Sequence, residues 1–171
     1  MAGRYASPVN KKVPDPYQKL RPYQATPEDE ICQCSEIKVV MLRDSFSSNP
    51  ICCAQCNGEV VPERVGFDVN LASDIAGWLS IYHALYILWL DSGPYENWAI
   101  SQLLDHNGEV NNRGRAIVRK LNKFITAYYW WFQDIGADDY SAPEHCPICQ
   151  AQLQPYSDRD FQMCNHCSIF I

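Results

Sequence analysis

From Ser73 to Leu90 the apolar side chains recur at intervals of three and four: Ile75, Trp78, Leu79, Tyr82, Leu85, Tyr86 and Trp89. That period places them on one broad face of an α-helix, with Ser73 as its N-cap and Gly93-Pro94 as its stop. Trp98, Ile100, Leu103 and Leu104 predict a second, short helix closed by Asn107-Gly108. A third helix, capped by Asn111 or Asn112, carries Ile117, Val118, Leu121, Phe124, Ile125 and Tyr128 as its apolar stripe. The pattern then changes. Tyr128-Tyr129-Trp130-Trp131-Phe132 has no polar face at any period, so it predicts a core β-strand filling both faces rather than a stacking platform.

Ahead of the helices, Ile37 to Leu42 is a short β-prone run. A turn-rich stretch, Ser45 to Pro50, leads into Ile51-Cys52-Cys53-Ala54-Gln55-Cys56-Asn57-Gly58-Glu59-Val60-Val61, where Gly58 suits a tight turn just beyond the last thiol. Residues 1 to 27 hold five prolines and three tyrosines and sustain neither period, which predicts an extended arm. Such an arm is a loose tail or a strap over the core; a basic, aromatic-interleaved arm gripping RNA or a protein groove is the other reading. The organisation expected is an arm over 1-27, a zinc-knuckle region over 28-66, a helical body over 67-140 ending in the aromatic strand, and a zinc ribbon over 141-171. The class is α+β, a small helical body with short strands.

The cysteines carry the chemistry. Cys146-Pro-Ile-Cys149 and Cys164-Asn-His-Cys167 are two Cys-x-x-Cys turns separated by 14 residues. Each turn aims two thiolates at one point, and two such turns complete a tetrahedral shell around Zn²⁺, the pattern of a zinc ribbon. Cys32, Cys34, Cys53 and Cys56 can form a second tetrathiolate site, since residues i and i+2 of an extended segment share a face. Two zinc ions are therefore expected. Cys52 is left over and reads as a buried structural thiol.

Composition and charge narrow the classes. With 47% hydrophobic residues, including 5 Trp, 10 Tyr and 6 Phe, the 171-residue chain can fill one core. The start carries no apolar signal region and the longest uninterrupted apolar run is Ala84 to Leu90, so neither secretion nor a membrane span is expected and the cysteines suit a reducing, cytoplasmic setting. The formal net charge is −6; residues 1 to 27 carry five positive side chains against one negative, which leaves −10 on residues 28 to 171. That balance opposes a general grip on nucleic acid. One basic stripe qualifies it: Arg115, Arg119 and Lys123, with Arg113 and Lys120 on the adjoining flank, lie together at 100° per residue. It is either a solvated helix face or a contact for phosphates or an acidic partner.

No catalytic set assembles from the sequence. His83 lies on the aromatic helix, His106 beside a glycine turn, and His145 and His166 abut the thiols. None has a chemical partner in sequence, and there is no phosphate-cradling glycine loop, nucleophile elbow or His-Glu-x-x-His. No small-molecule substrate is evident.

From Cys32 onward the order of features resembles a bacterial family of Zn-ribbon-containing proteins of undetermined function for which nucleic-acid binding is suggested. The resemblance rests on Cys32-Gln33-Cys34, the Ile37 to Leu42 strand, the Asn49-Pro50-Ile51-Cys52-Cys53-Ala54-Gln55-Cys56-Asn57-Gly58 knuckle, Asn112-Arg113-Gly114-Arg115, Tyr128-Tyr129 and the terminal ribbon. Members usually carry a further N-terminal domain where this chain has its 27-residue arm. The glycine that often follows the second thiol is replaced by Gln150 and Ser168. The resemblance implies the fold and the metal; it says little of activity. The function expected is a non-enzymatic, zinc-stabilised binding protein engaging a protein partner through its acidic body, as inhibitors, immunity proteins and adaptors do. The alternative is a nucleic-acid binder using the arm and the basic residues 113 to 123.

Overall fold

The computed structural model describes residues 14–22, 25–156 and 159–171. The described residues form an α+β fold of three α-helices and a mixed six-stranded sheet. The run of β-branched and apolar residues Val39–Leu42 forms β1, which turns back antiparallel into β2 (Ile51–Cys53). Helices α1 (Val69–Asp91), α2 (Glu96–Leu104) and α3 (Glu109–Leu121) follow. The chain then re-enters the sheet as β3 (Thr126–Trp130) and ends in β4 (Gln154–Tyr156), β5 (Phe161–Cys164) and β6 (Ile169–Phe170). The spatial order is β2-β1-β3-β6-β5-β4. Strand β3 is central and parallel to both neighbours, with Val39 opposite Thr126 on one side and Ile169 opposite Tyr129 on the other. The cysteine-bearing segments thus form the two wings of one sheet.

Alternation along the strands sorts the sheet into two faces. Val40, Leu42, Ile51, Cys53, Ala127, Tyr129 and Ile169 join Ile75, Trp78, Tyr82, Ile117 and Leu121 of the helices in the main core. Met41, Cys52, Ala54 and Phe170 form a second cluster on the other face with Tyr128, Trp130, Tyr156 and Phe161, and no helical residue belongs to it among the described residues. Tyr128 stacks on Phe170 at 4.2 Å and Trp130 meets Phe161 edge-on at 4.8 Å. The aromatic run is therefore split. Tyr129, Trp131 and Phe132 are buried, whereas Tyr128 and Trp130 are half-buried on the helix-free side.

Several expected boundaries move, each for a local reason. Helix α1 starts a turn earlier than Ser73, because Leu71 and Ala72 already face the core; Asp68 is the N-cap, its Oδ1 accepting from the Leu71 N–H at 2.9 Å. By length and composition α1 could also cross a membrane, with a mean hydropathy of 1.2, but Leu71, Ile75, Trp78, Leu79, Tyr82 and Leu85 are buried in the main core. Helix α3 is capped by Gly108, not by Asn111 or Asn112. Asn111 is fully buried inside it: its amide donates to the Leu103 and Asp105 carbonyls at 2.9 Å, and its Oδ1 accepts from the Tyr129 hydroxyl at 2.7 Å. The helix stops at Leu121 because Asn122 turns the chain, donating to the Val118 and Ala127 carbonyls and accepting from the Ala127 N–H. Phe124, Ile125 and Tyr128 consequently fall outside the helical stripe, and β3 begins at Thr126 rather than Tyr128.

Gly114 sets the distance between α3 and the sheet. A Cβ there would stand 2.9 Å from Cζ of Tyr129 and 3.0 Å from Nε1 of Trp78. The described part of the arm is a strap rather than an extended chain. Gln18–Leu20 is a single 3₁₀ turn, Leu20 is buried, the Tyr17 hydroxyl donates to the Phe67 carbonyl at 2.6 Å, and just beyond the arm Glu28–Glu30 makes a second 3₁₀ turn. Arg4, Lys11 and Lys12 of the expected basic arm lie outside the described residues.

Candidate metal centres

The first centre sits at the β1–β2 wing. Cys32 and Cys34 precede β1, Cys53 ends β2 and Cys56 lies in the turn beyond; their four sulfurs are within 4.8 Å of one another. Backbone pairing makes this arrangement. Cys32 N–H donates to the Glu59 carbonyl, and Cys53 N–H donates to the Gly58 carbonyl, both at 2.8 Å. The Gly58 N–H points at Cys56 Sγ at 3.4 Å. Gly58 is required by this closeness, since a Cβ would stand 2.7 Å from the Cys32 backbone nitrogen. The Arg64 guanidinium, 30 residues on from Cys34, clamps the pair from outside by donating to the Cys32 carbonyl at 2.7 Å and to the Cys34 carbonyl. Cys52 points the other way, as its neighbour in a strand must: it lies opposite Met41 in the second cluster, and burial pushes its thiol up to about 11.

The second centre sits at the β4–β5–β6 wing. Cys146, Cys149, Cys164 and Cys167 also bring their sulfurs within 4.8 Å, with Cys149 Sγ 3.6 Å from Cys164 Sγ. Ile148 N–H points at Cys146 Sγ at 3.4 Å, the counterpart of the Gly58 contact. In all three Cys-x-x-Cys turns the residue after the second thiol is left-handed: Asn57 at φ 65°, Gln150 at φ 59° and Ser168 at φ 53°. The turn demands this whatever the side chain, so the glycine missing from the sequence is missing only as a residue type.

Both sets fit Zn²⁺. Zinc–sulfur bonds of about 2.3 Å in a tetrahedron put the sulfurs about 3.8 Å apart, close to the Cys149–Cys164 separation. Burial pushes the Cys32 thiol up to about 12, while the Ala151 backbone amide, helped by the neighbouring thiols, holds Cys149 down to about 7. The two four-cysteine groups can each hold a zinc ion in a structural role, for a four-thiolate shell leaves no position for a substrate.

Of the basic residues of 113 to 123, Arg113, Arg119, Lys120 and Lys123 are exposed and Arg115 is half-buried. Arg115 turns inward, donating to the His106 carbonyl at 3.1 Å and to Asn112 Oδ1. Lys120 pairs with Asp74 of α1 at 2.5 Å. Lys123 lies past the end of α3, outside the helical periodicity that grouped it with Arg115 and Arg119. Arg21 of the strap is held by Asp15 and Glu63.

Sequence reasoning missed a cleft of about 580 Å³. It opens where β1 and β3 end, between Arg43 to Ser47 and Phe132 to Gly136, against Tyr82, Tyr86 and Trp89 of α1 and the turn at Cys56 to Glu59. Carboxyl ends of parallel strands are where such sheets bind ligands. Asp44, which lines it, pairs with His83 just outside the lining, Oδ1 to Nδ1 at 3.2 Å, and burial raises the Asp44 carboxyl above its ordinary value despite that contact. Its residues come from five distant segments, and only the excess of acid in the body hinted at it. No protein-family model, curated protein or solved structure matches this chain, so function has to be read from these sites.

Proposed function

We propose that the chain is a non-catalytic binding protein in which two structural zinc ions, held by Cys32, Cys34, Cys53 and Cys56 and by Cys146, Cys149, Cys164 and Cys167, brace an acidic surface that engages a basic protein. The carrying observation is the lining of the cleft: Asp29, Glu30, Asp44 and Glu59 face a single guanidinium, Arg43. Arg43 is itself occupied, donating to Asn57 Oδ1 at 2.8 Å and lying over the Trp130 ring. A field of this sign steers and selects cationic partners. The nucleic-acid reading has less behind it, because Arg21 and Lys120 are each paired with a carboxylate of the same chain and Arg115 donates to the His106 carbonyl and the Asn112 amide oxygen.

Fluorescence anisotropy of the zinc-loaded protein against polyarginine, polylysine and single-stranded RNA, at low and moderate salt, tests this. Binding of the basic polypeptides that weakens with salt, without binding of RNA, is the expected result. RNA binding in place of polycation binding would overturn it.

A further inference from the structure

We infer that the cleft at the ends of β1 and β3 is a pocket for an arginine side chain of the basic partner. This rests on the reading of the chain as a binder of basic protein and narrows it to one chemistry. Tyr82 lines the cleft at 2% exposure, and its hydroxyl has no hydrogen-bond partner among the described residues. That hydroxyl is not among the buried polar atoms left without a partner, so it opens to the water of the cleft, and a donor brought by a ligand can take that water's place. Beside it stands Asp44, its side chain 14% exposed, whose only ion partner among the described residues is the His83 ring. A desolvated carboxylate of this kind favours an incoming cation over an anion.

The walls decide which cation. Trp89 meets Tyr86 and Phe132 edge-to-face at 5.1 and 5.0 Å, so aromatic surface lies beside the carboxylate. A guanidinium is planar, weakly hydrated and stacks on such rings while its five donors reach several acceptors; an ammonium is a strongly hydrated point charge without a face to stack. The volume is within the range of ligand pockets and exceeds one side chain, leaving room for the flanking peptide.

The test uses the full, zinc-loaded chain and three probes: N-acetyl-Gly-Arg-Gly-amide, its lysine counterpart and free arginine. The expected result is that the arginine peptide binds several-fold more tightly than the other two and moves the Trp89 indole resonance, assigned with Trp89→Phe. Asp44→Asn is expected to weaken that binding about tenfold or more, and Tyr82→Phe about threefold to tenfold, the range for charged and neutral hydrogen bonds. Tyr82→Phe loses no internal hydrogen bond, so it should leave the thermal midpoint intact and separate binding from folding. Equal binding of lysine and arginine peptides, indifferent to Asp44→Asn, would overturn the pocket while polyarginine binding still upheld the acidic-surface reading; loss of polyarginine binding as well would remove both. Free arginine binding as tightly as the peptide would overturn the protein source in favour of a small cation.

Discussion

Two mid-helix glycines should answer to the same substitution with opposite signs. On propensity alone, glycine to alanine inside a helix stabilises by about 1 kcal/mol. Gly77 in α1 should follow that rule, because the nearest atom to an added Cβ is the mobile Nη2 of Arg113 at an ordinary 3.5 Å. Gly114 should not. Its added methyl meets Cζ of Tyr129 at 2.9 Å and Nε1 of Trp78 at 3.0 Å, both in fully buried rings that have nowhere to go. Overpacking of a tight core costs about 1–3 kcal/mol. Moving the Tyr129 ring also breaks its 2.7 Å bond to Asn111, leaving a buried Oδ1 unmet for about another 1–2 kcal/mol. After the propensity gain, Gly114→Ala is expected to lose about 2–3 kcal/mol, which lowers the thermal midpoint of a chain this size by about 5–10 °C. Urea titration of the zinc-saturated protein, followed by tryptophan fluorescence, reads this as a lower midpoint at unchanged slope. A Gly114→Ala midpoint equal to or above wild type would refute the packing of α3 on β3 described above.

Further outcomes concern the centres themselves. Gly58→Ala drives a Cβ into the Cys32 backbone, so metal analysis should find the first centre empty and the second filled. Cys149→Ser should likewise lose one of two zinc ions, whereas Cys52→Ser should keep both, since Cys52 faces away from the other thiols; equal loss in the Cys52 variant would refute the ligand assignment. Gln150→Gly and Ser168→Gly relieve left-handed residues and should each raise stability by about 0.5–1 kcal/mol in denaturant, with zinc content unchanged.

What the sequence showed and hid follows from the range of the interactions. The 3–4 spacing from Ile75 to Trp89 marks α1 because a helix face is local, yet its start was misplaced since Leu71 and Ala72 bury against partners the spacing does not reveal. The thiol sets were readable because Cys-x-x-Cys turns are themselves local. Asn111 looked like a cap and is instead a buried bracket between α2, α3 and β3, a role that exists only after those elements meet. Likewise, five aromatics in a row announce a strand without saying which face lacks helices. The cleft was least legible, since it requires the carboxyl end of β1, the middle of α1 and the end of β3 in one place.

The central position of β3 has a consequence for how the chain reaches its fold. Its partner β1 is made before all three helices and its partner β6 after the last cysteine turn, so neither parallel pairing can form until distant segments are in place. The β1–β2 hairpin, closed locally, can fold around its metal long before that. During the interval Val39-Val40-Met41-Leu42 presents an open, uncharged strand edge. Such an edge is a template for pairing with another chain. Early loading of the first centre therefore hastens a correct hairpin and at the same time displays an aggregation-prone edge, and it is the arrival of Thr126–Trp130 that closes it.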